Sequence, residues 1–346
     1  MRYRNFGSTD LLVSELGLGC QSLGGGLYHR DDRESMRTLA AAVSSGITFF
    51  DVSDHHSLGA TETLLGHAFK GLRHELVLTS KAGYDYAPLT RLALKMRGVL
   101  RPVSRMLKPA KRSLHKLRLA QGRYRYGADY LTAAVEGSLR RLQTDYLDLF
   151  QLYKPTADEL REGAFYDTLE RLRQAGKIRH YGIACLTIED AFIAIGHEGN
   201  SSVQVAVNFL EQERVEELLG RTTAKGIAVI ARHPRAIGLL TNDHDDLMGD
   251  SSAYDAHYGQ RHRMARELRS LIRSDRSLAQ AAIQYVRSME GITVTLPRAV
   301  NRAELAENIA SLTAPPLTDI ELEKVRAVTR ADHHPVAAYR PVRAAT

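Results

Sequence analysis

The chain has 346 residues, 44% hydrophobic and 25% charged, an ordinary balance for one large globular core, and α/β barrels commonly reach this length as a single domain, here expected to span 1–346. No apolar run approaches the ~18 residues of a membrane span, the N-terminal MRYRNFGSTD lacks the apolar stretch of a secretory signal, and two cysteines, Cys20 and Cys185, are too few for a disulfide framework or a four-thiolate zinc site. A cytoplasmic protein with reduced thiols and no membrane partner is expected. The net charge of +7 is local: residues 86–128 hold twelve Lys or Arg and no acid, so the rest of the chain is net acidic. That pattern fits an anionic ligand, a partner surface or a solvated lid, and no nucleic-acid partner is expected.

In chain order, YRNFGSTDLLVSEL places a Gly-Ser-Thr-Asp turn between two extended pieces, which predicts a β-hairpin plugging the bottom of a barrel. Eight β-rich runs follow: 16–20, 47–51, 76–81, 146–153, 178–184, 202–208, 226–232 and 291–297. Helical stretches alternate with them, among them Glu34 to Ser45, Thr61 to Phe69, Tyr130 to Leu142, Phe165 to Gln174 and Arg302 to Ser311. In the first, Met36, Leu39, Ala40 and Val43 recur at helical steps and Gly46 follows as a stop. Alternation of this kind predicts an α/β fold, a (β/α)8 TIM barrel whose working pocket lies at the carboxyl ends of its strands. The glycines at 24–26 read as a flexible connection after the first strand.

Two connections exceed the usual length, residues 85–128 after the third strand and 235–258 after the seventh, and both emerge at the face where barrel active sites are built. Leu92, Met96, Val99, Val103 and Met106 keep helical spacing in the first, broken by Pro102 and Pro109, so 85–128 reads as a basic lid-like insertion. An extra C-terminal helix, Leu317 to Val328, precedes a tail at 331–346 expected to be mobile. Asp51, Asp54, His55, His56 and His233 offer metal-type ligands, but no HxH or HExxH spacing is present, and adjacent His55 and His56 near a strand end are expected to point opposite ways. No metal is expected.

Six fragments in order, GITFFDVSDHHSLGATETLLG, LVLTSKAG, RRLQTDYLDLFQLYKP, QAGKIRHYGIA, VIARHPRAIGLLT and LPRAVNRAELAENIASL, resemble the aldo-keto reductase family, and the similarity covers nearly the whole chain apart from 85–128. The resemblance implies hydride exchange between a carbonyl or alcohol and NADP or NAD, with a tetrad of Asp, Tyr, Lys and His. Asp51 and Lys81 stand at matching positions. His56 occupies the family's tyrosine position and Tyr153 its histidine position, so the tetrad is atypical, with two residue types exchanged. A phenol near pKa ~10 needs a neighbouring cation to become a useful acid, whereas an imidazole near ~6.5 does not.

The resemblance also implies cofactor contacts. Gln204 matches the family's carboxamide-binding glutamine, but Ala184 and Cys185 replace a Ser-Asn pair, and Arg232 replaces a stacking aromatic. Gly238 lies in the pyrophosphate loop, Arg298 at the adenosine 2′-phosphate, and Glu307 and Asn308 at the adenine, while Glu304 replaces a second arginine and favours NAD. Three readings stay open: a nicotinamide-dependent oxidoreductase acting on a small carbonyl or alcohol; a dehydratase, lyase or isomerase using His56 and Lys81 as base and acid; and a catalytically inactive binding subunit. The substrate is a small molecule, and the basic segment points to an anionic or carrier-bound one.

Overall fold

The computed structural model describes residues 1–24, 31–86, 122–242 and 258–330. Eight parallel strands, Leu18–Gly19, Phe49–Asp51, Val77–Ala82, Leu147–Tyr153, Ile178–Ala184, Ser202–Ala206, Ala228–Arg232 and Ile292–Leu296, are hydrogen-bonded in chain order. The ring closes through parallel bridges from Leu16 to Thr295 and from Gly19 to Arg298. The expected (β/α)8 barrel is therefore formed. Strands such as VLTSKA and LDLFQLY are buried at nearly every position, because a parallel sheet is covered on both faces.

Alternate residues serve two cores. Phe49, Val77, Leu149, Ile230 and Val294 fill the barrel interior together with Phe6, Leu11 and Val13. Their sequence neighbours Phe50, Leu78, Phe150 and Val229 face outward, into the layer beneath the helices. Phe6, Leu11 and Val13 belong to the N-terminal hairpin, in which Tyr3–Asn5 pairs antiparallel with Leu12–Ser14, so this element does plug the bottom. Its turn is seated by Ser8 N–H donating to the Gly226 carbonyl at 2.8 Å. Gly7 has φ +59°, and a Cβ there would lie 2.3 Å from the Gly226 oxygen. Gly7→Ala is expected to lower stability by about 2–4 kcal/mol, read as a fall in the urea midpoint at constant m, since left-handed strain and a backbone clash add.

Helices pack on the outer core. The second helix, Ala60–Ala68, is tied to Ala128–Leu142 by Arg141 Nε, 2.6 Å from the fully buried Glu62 carboxylate, which also accepts from Ser80 Oγ at 2.6 Å. The C-terminal helix is formed over Asp319–Arg330. The long connection after the third strand departs from the expected lid at its ends: Tyr84–Tyr86 pairs antiparallel with Gly122–Tyr124, a hairpin stem absent from the sequence reading, and the next helix already starts at Ala128. The expected lid helix (87–121), Gly25 and Gly26, residues 243–257 and the tail 331–346 lie outside the described residues. No helix among the described residues is long and apolar enough to cross a membrane.

Candidate active site

A cavity at the carboxyl ends of the strands is lined by Asp51, His56, Lys81, Tyr153, Gln204, Arg232, Gly238 and Arg298. Eight residues singled out from the sequence thus meet in one place. A second opening lies at the opposite end, between the N-terminus and residues 287–292; that is the stability face of such barrels, and catalytic groups gather at the other.

Asp51 ends the second strand and Lys81 is the penultimate residue of the third. Both are buried, at 5% and 3% exposure, with Lys81 Nζ 2.5 Å from Asp51 Oδ1 and 3.0 Å from the Val52 carbonyl. Two amides complete the carboxylate's shell: Gln204 Nε2 donates to Oδ1 at 3.1 Å and Gln151 Nε2 approaches it at 3.4 Å. A buried ion pair is tolerable when further hydrogen bonds saturate it. Gln204, assigned from the sequence to the cofactor, is thus engaged with Asp51 here.

His56 comes from the turn that follows Asp51, where Ser57 (φ 49°), Leu58 (φ 57°) and Gly59 (φ 87°) adopt left-handed backbone. It is 9% exposed and its Nδ1 has no hydrogen-bond partner. Burial, with His55 and Lys81 adding repulsion, holds its pKa well below the histidine range, so the ring is neutral. The expectation that His55 and His56 diverge is overturned: they sit in a tight turn instead of an extended strand, and their rings lie 4.7 Å apart. The His55 ring is also 4.8 Å from that of Tyr153, and so adjoins both members of the exchanged pair.

Tyr153 is the last residue of the fourth strand. Its neighbour Lys154 turns back with φ 57° and places Nζ 4.9 Å from the Tyr153 ring centroid. Burial pushes the phenol up, but Lys154, Arg232 and Lys81 outweigh it and bring the pKa below its ordinary 10. Arg232 donates to the Cys185 carbonyl at 2.6 Å. Ala184 and Cys185 are themselves buried.

Beyond the seventh strand, His233, Ala236, Ile237 and Gly238 all have positive φ, and at 105° Gly238 is in a region suited to glycine. The buried Arg235 donates to the Arg298 carbonyl at 2.7 Å and pairs with Glu304 at 3.3 Å, so the glutamate that argued for NAD is bound internally. Arg298 lies 3.5 Å from Ser22 Oγ. Glu307 and Asn308, on the helix Arg302–Ala310, lie outside the cavity lining. Glu307 accepts from Ser277 Oγ at 2.8 Å; Asn308 donates to the Arg298 carbonyl at 3.0 Å, and its buried Oδ1 has no partner.

Sequence reasoning missed Lys154 and Arg235, and weighed His233 only as a metal ligand; all three are on this wall. The signal was available in QLYKP and ARHPR, where each directly neighbours a residue that had been singled out or lies within three positions of one. Burial, then Arg232, Lys154, Arg261 and Arg298, hold His233 neutral as well.

A dinucleotide fits this donor set unevenly. At the phosphate and adenine side, Arg298, the left-handed loop ending at Gly238, and the unpartnered Asn308 Oδ1 suit it. At the nicotinamide side, Gln204 is shared with Asp51 and a guanidinium stands where a ring platform is usual. No cluster of three or more metal-type ligands occurs among the described residues.

Residues 15–330 match the Aldo/keto reductase family. The chain is 29% identical over 336 residues to an uncharacterized oxidoreductase, YqkF, of Bacillus subtilis (strain 168), covering 96% of this chain and 98% of that one. It is 24% identical to the NADH-specific methylglyoxal reductase of Escherichia coli (strain K12), over 88% and 92% of the two chains. Among solved structures it resembles the holo form of an aldo-keto reductase (AKR11C1) from Bacillus halodurans, with TM-score 0.74, 27% identity and coverage of 95% and 96%. The chain belongs to the aldo/keto reductase family.

Proposed function

We propose that the protein is an NAD(P)(H)-dependent oxidoreductase interconverting a small carbonyl compound and its alcohol, with Tyr153 as the proton donor and acceptor. The observation that carries this reading is the Tyr153 phenol beside Lys154 and Arg232, in one cavity with the Asp51–Lys81 pair. Tyrosine in the family acts because a cation stabilises its phenolate, and here Lys154, just past the fourth strand, and Arg232, at the end of the seventh, stand where they can do so. Lys81 and Asp51 supply a fixed, charge-matched dipole at the base of the cavity. His56, held neutral, is suited to orient a carbonyl oxygen by hydrogen bonding rather than to carry charge.

Arg298, Gly238 and Asn308 would hold the phosphate and adenine end of the dinucleotide, and Gln204 and Arg232 would border its nicotinamide, which supplies or accepts the hydride. The names of the relatives agree: one is an NADH-specific methylglyoxal reductase, another an L-galactose dehydrogenase from Arabidopsis thaliana.

Titration with NADPH and NADH tests the reading directly. The chain has no tryptophan, so the emission of the reduced nicotinamide is read without indole background. Saturable enhancement or quenching by one cofactor is expected, followed by loss of its absorbance band when an aldehyde is added. Turnover of a carbonyl-containing substrate with no nicotinamide bound would select the lyase or isomerase reading instead.

A further inference from the structure

Among the described residues, Asp51 is the one acid on the cavity wall, and Lys81 already matches it at 2.5 Å. The same wall carries four more cations, Lys154, Arg232, Arg235 and Arg298. Arg235 is committed to Glu304 and to the Arg298 carbonyl. Lys154 and Arg232 are different: both are half-buried and neither has a carboxylate partner among the described residues. Arg232 uses one N–H on the Cys185 carbonyl, and Lys154 rests against the Tyr153 ring. Two cations partly withdrawn from water without a counter-ion are unfavourable unless an anion joins them.

We propose that the carbonyl compound handled at Tyr153 carries a carboxylate, and that Arg232 and Lys154 bind it. The inference rests on the oxidoreductase reading. The two cations come from different elements, Arg232 from the end of the seventh strand and Lys154 from just past the fourth, and both face the cavity that holds the phenol. Left-handed backbone at Lys154 and at His233, φ 57° in each, is unfavourable for non-glycine residues, yet it occurs at both cation-bearing corners. A guanidinium matches a carboxylate with two parallel N–H groups, and the ammonium adds a point charge beside the proton donor.

A dinucleotide pyrophosphate has the same charge chemistry. Position favours the substrate: Lys154 lies against the ring of Tyr153, whereas the phosphate-suited Gly238 and Arg298 belong to the segments following the seventh and eighth strands.

The test compares pyruvate, 4-oxobutanoate and 4-formylbenzoate with their methyl esters on the full-length chain with NADPH or NADH. At least one acid is expected to exceed its ester in kcat/KM by about 30–1000-fold. Arg232→Gln and Lys154→Gln are each expected to cut that ratio by about tenfold or more, chiefly through KM. Turnover with ratios near one for all three pairs overturns the carboxylate proposal and leaves the oxidoreductase reading standing. So does a ratio that survives both substitutions while the NADPH dissociation constant rises, which assigns the cations to the pyrophosphate. If no acid or ester is reduced, calorimetry with benzoate decides the anion site alone: binding lost in Arg232→Gln supports it, and no binding overturns it; the oxidoreductase reading falls only if neither NADPH nor NADH binds.

Discussion

Tyr153→Phe is expected to slow carbonyl reduction by about 10²–10⁴-fold, with a much smaller change in KM, because it removes the proton donor and leaves the ring in place. The pH profile gives a second signature. Reduction needs the protonated phenol, so its rate stays level at neutral pH and falls as pH rises through the Tyr153 pKa, which lies below 10 because Lys154, Arg232 and Lys81 outweigh burial. Alcohol oxidation needs the phenolate and rises over the same interval. Lys154→Gln removes one of the cations and is expected to move both limbs to higher pH, while Tyr153→Phe abolishes them. His56→Gln keeps a hydrogen-bonding group and is expected to cost less. Should His56→Gln remove the limb and Tyr153→Phe leave it, the donor is the imidazole.

Arg276→Ala is expected to lower stability by about 3–5 kcal/mol, measured from the urea midpoint, although residue 276 is not part of the cavity lining. The Arg276 side chain is fully buried, and its guanidinium donates to the carbonyls of Leu271, Pro315 and Pro316 while pairing with Glu321. It thereby fastens the C-terminal helix to the cluster of Leu268, Leu271, Leu278 and Val325. Truncation leaves three acceptors and a carboxylate without their donor. The sign with pH follows from Glu321. Burial pushes its carboxyl up, but Arg276 and Thr318 outweigh that and hold it below 4.5. Its contribution is therefore complete above the ordinary carboxylate pKa and is lost as acid titrates through the lowered one. Arg276→Ala is expected to flatten that acid-side loss. Arg276→Lys keeps the charge but not the planar fork, and an intermediate loss is expected.

All eight barrel strands were legible because parallel strands buried on both faces leave runs such as LVLTSK and YLDLFQLY, and helix faces leave three- and four-residue steps. The first strand was the least exact: of 16–20, only Leu18 and Gly19 form a ladder, with Leu16 and Gly19 supplying the closing bridges. The convergence of Asp51, Lys81, His56 and Tyr153 was legible because strand ends in a barrel point to one face. What escaped was local backbone. Ser57, Leu58, Lys154, His233, Ala236 and Ile237 all take positive φ, and residue type encodes this weakly when the residue is not glycine; tertiary contacts impose it. Those corners decide that His55 lies against Tyr153 and that Lys154 reaches its ring. The stem of Tyr84–Tyr86 with Gly122–Tyr124 escaped for a related reason: three-residue strands are too short to show an alternation.

That stem has a wider meaning. Because Tyr84–Tyr86 and Gly122–Tyr124 are hydrogen-bonded to each other, the points at which the chain leaves the third strand and approaches the next helix are held side by side. The ladder of the ring is complete without that pair, so changes at the stem and changes in the thermodynamic robustness of the barrel can accumulate separately in descendants of this sequence.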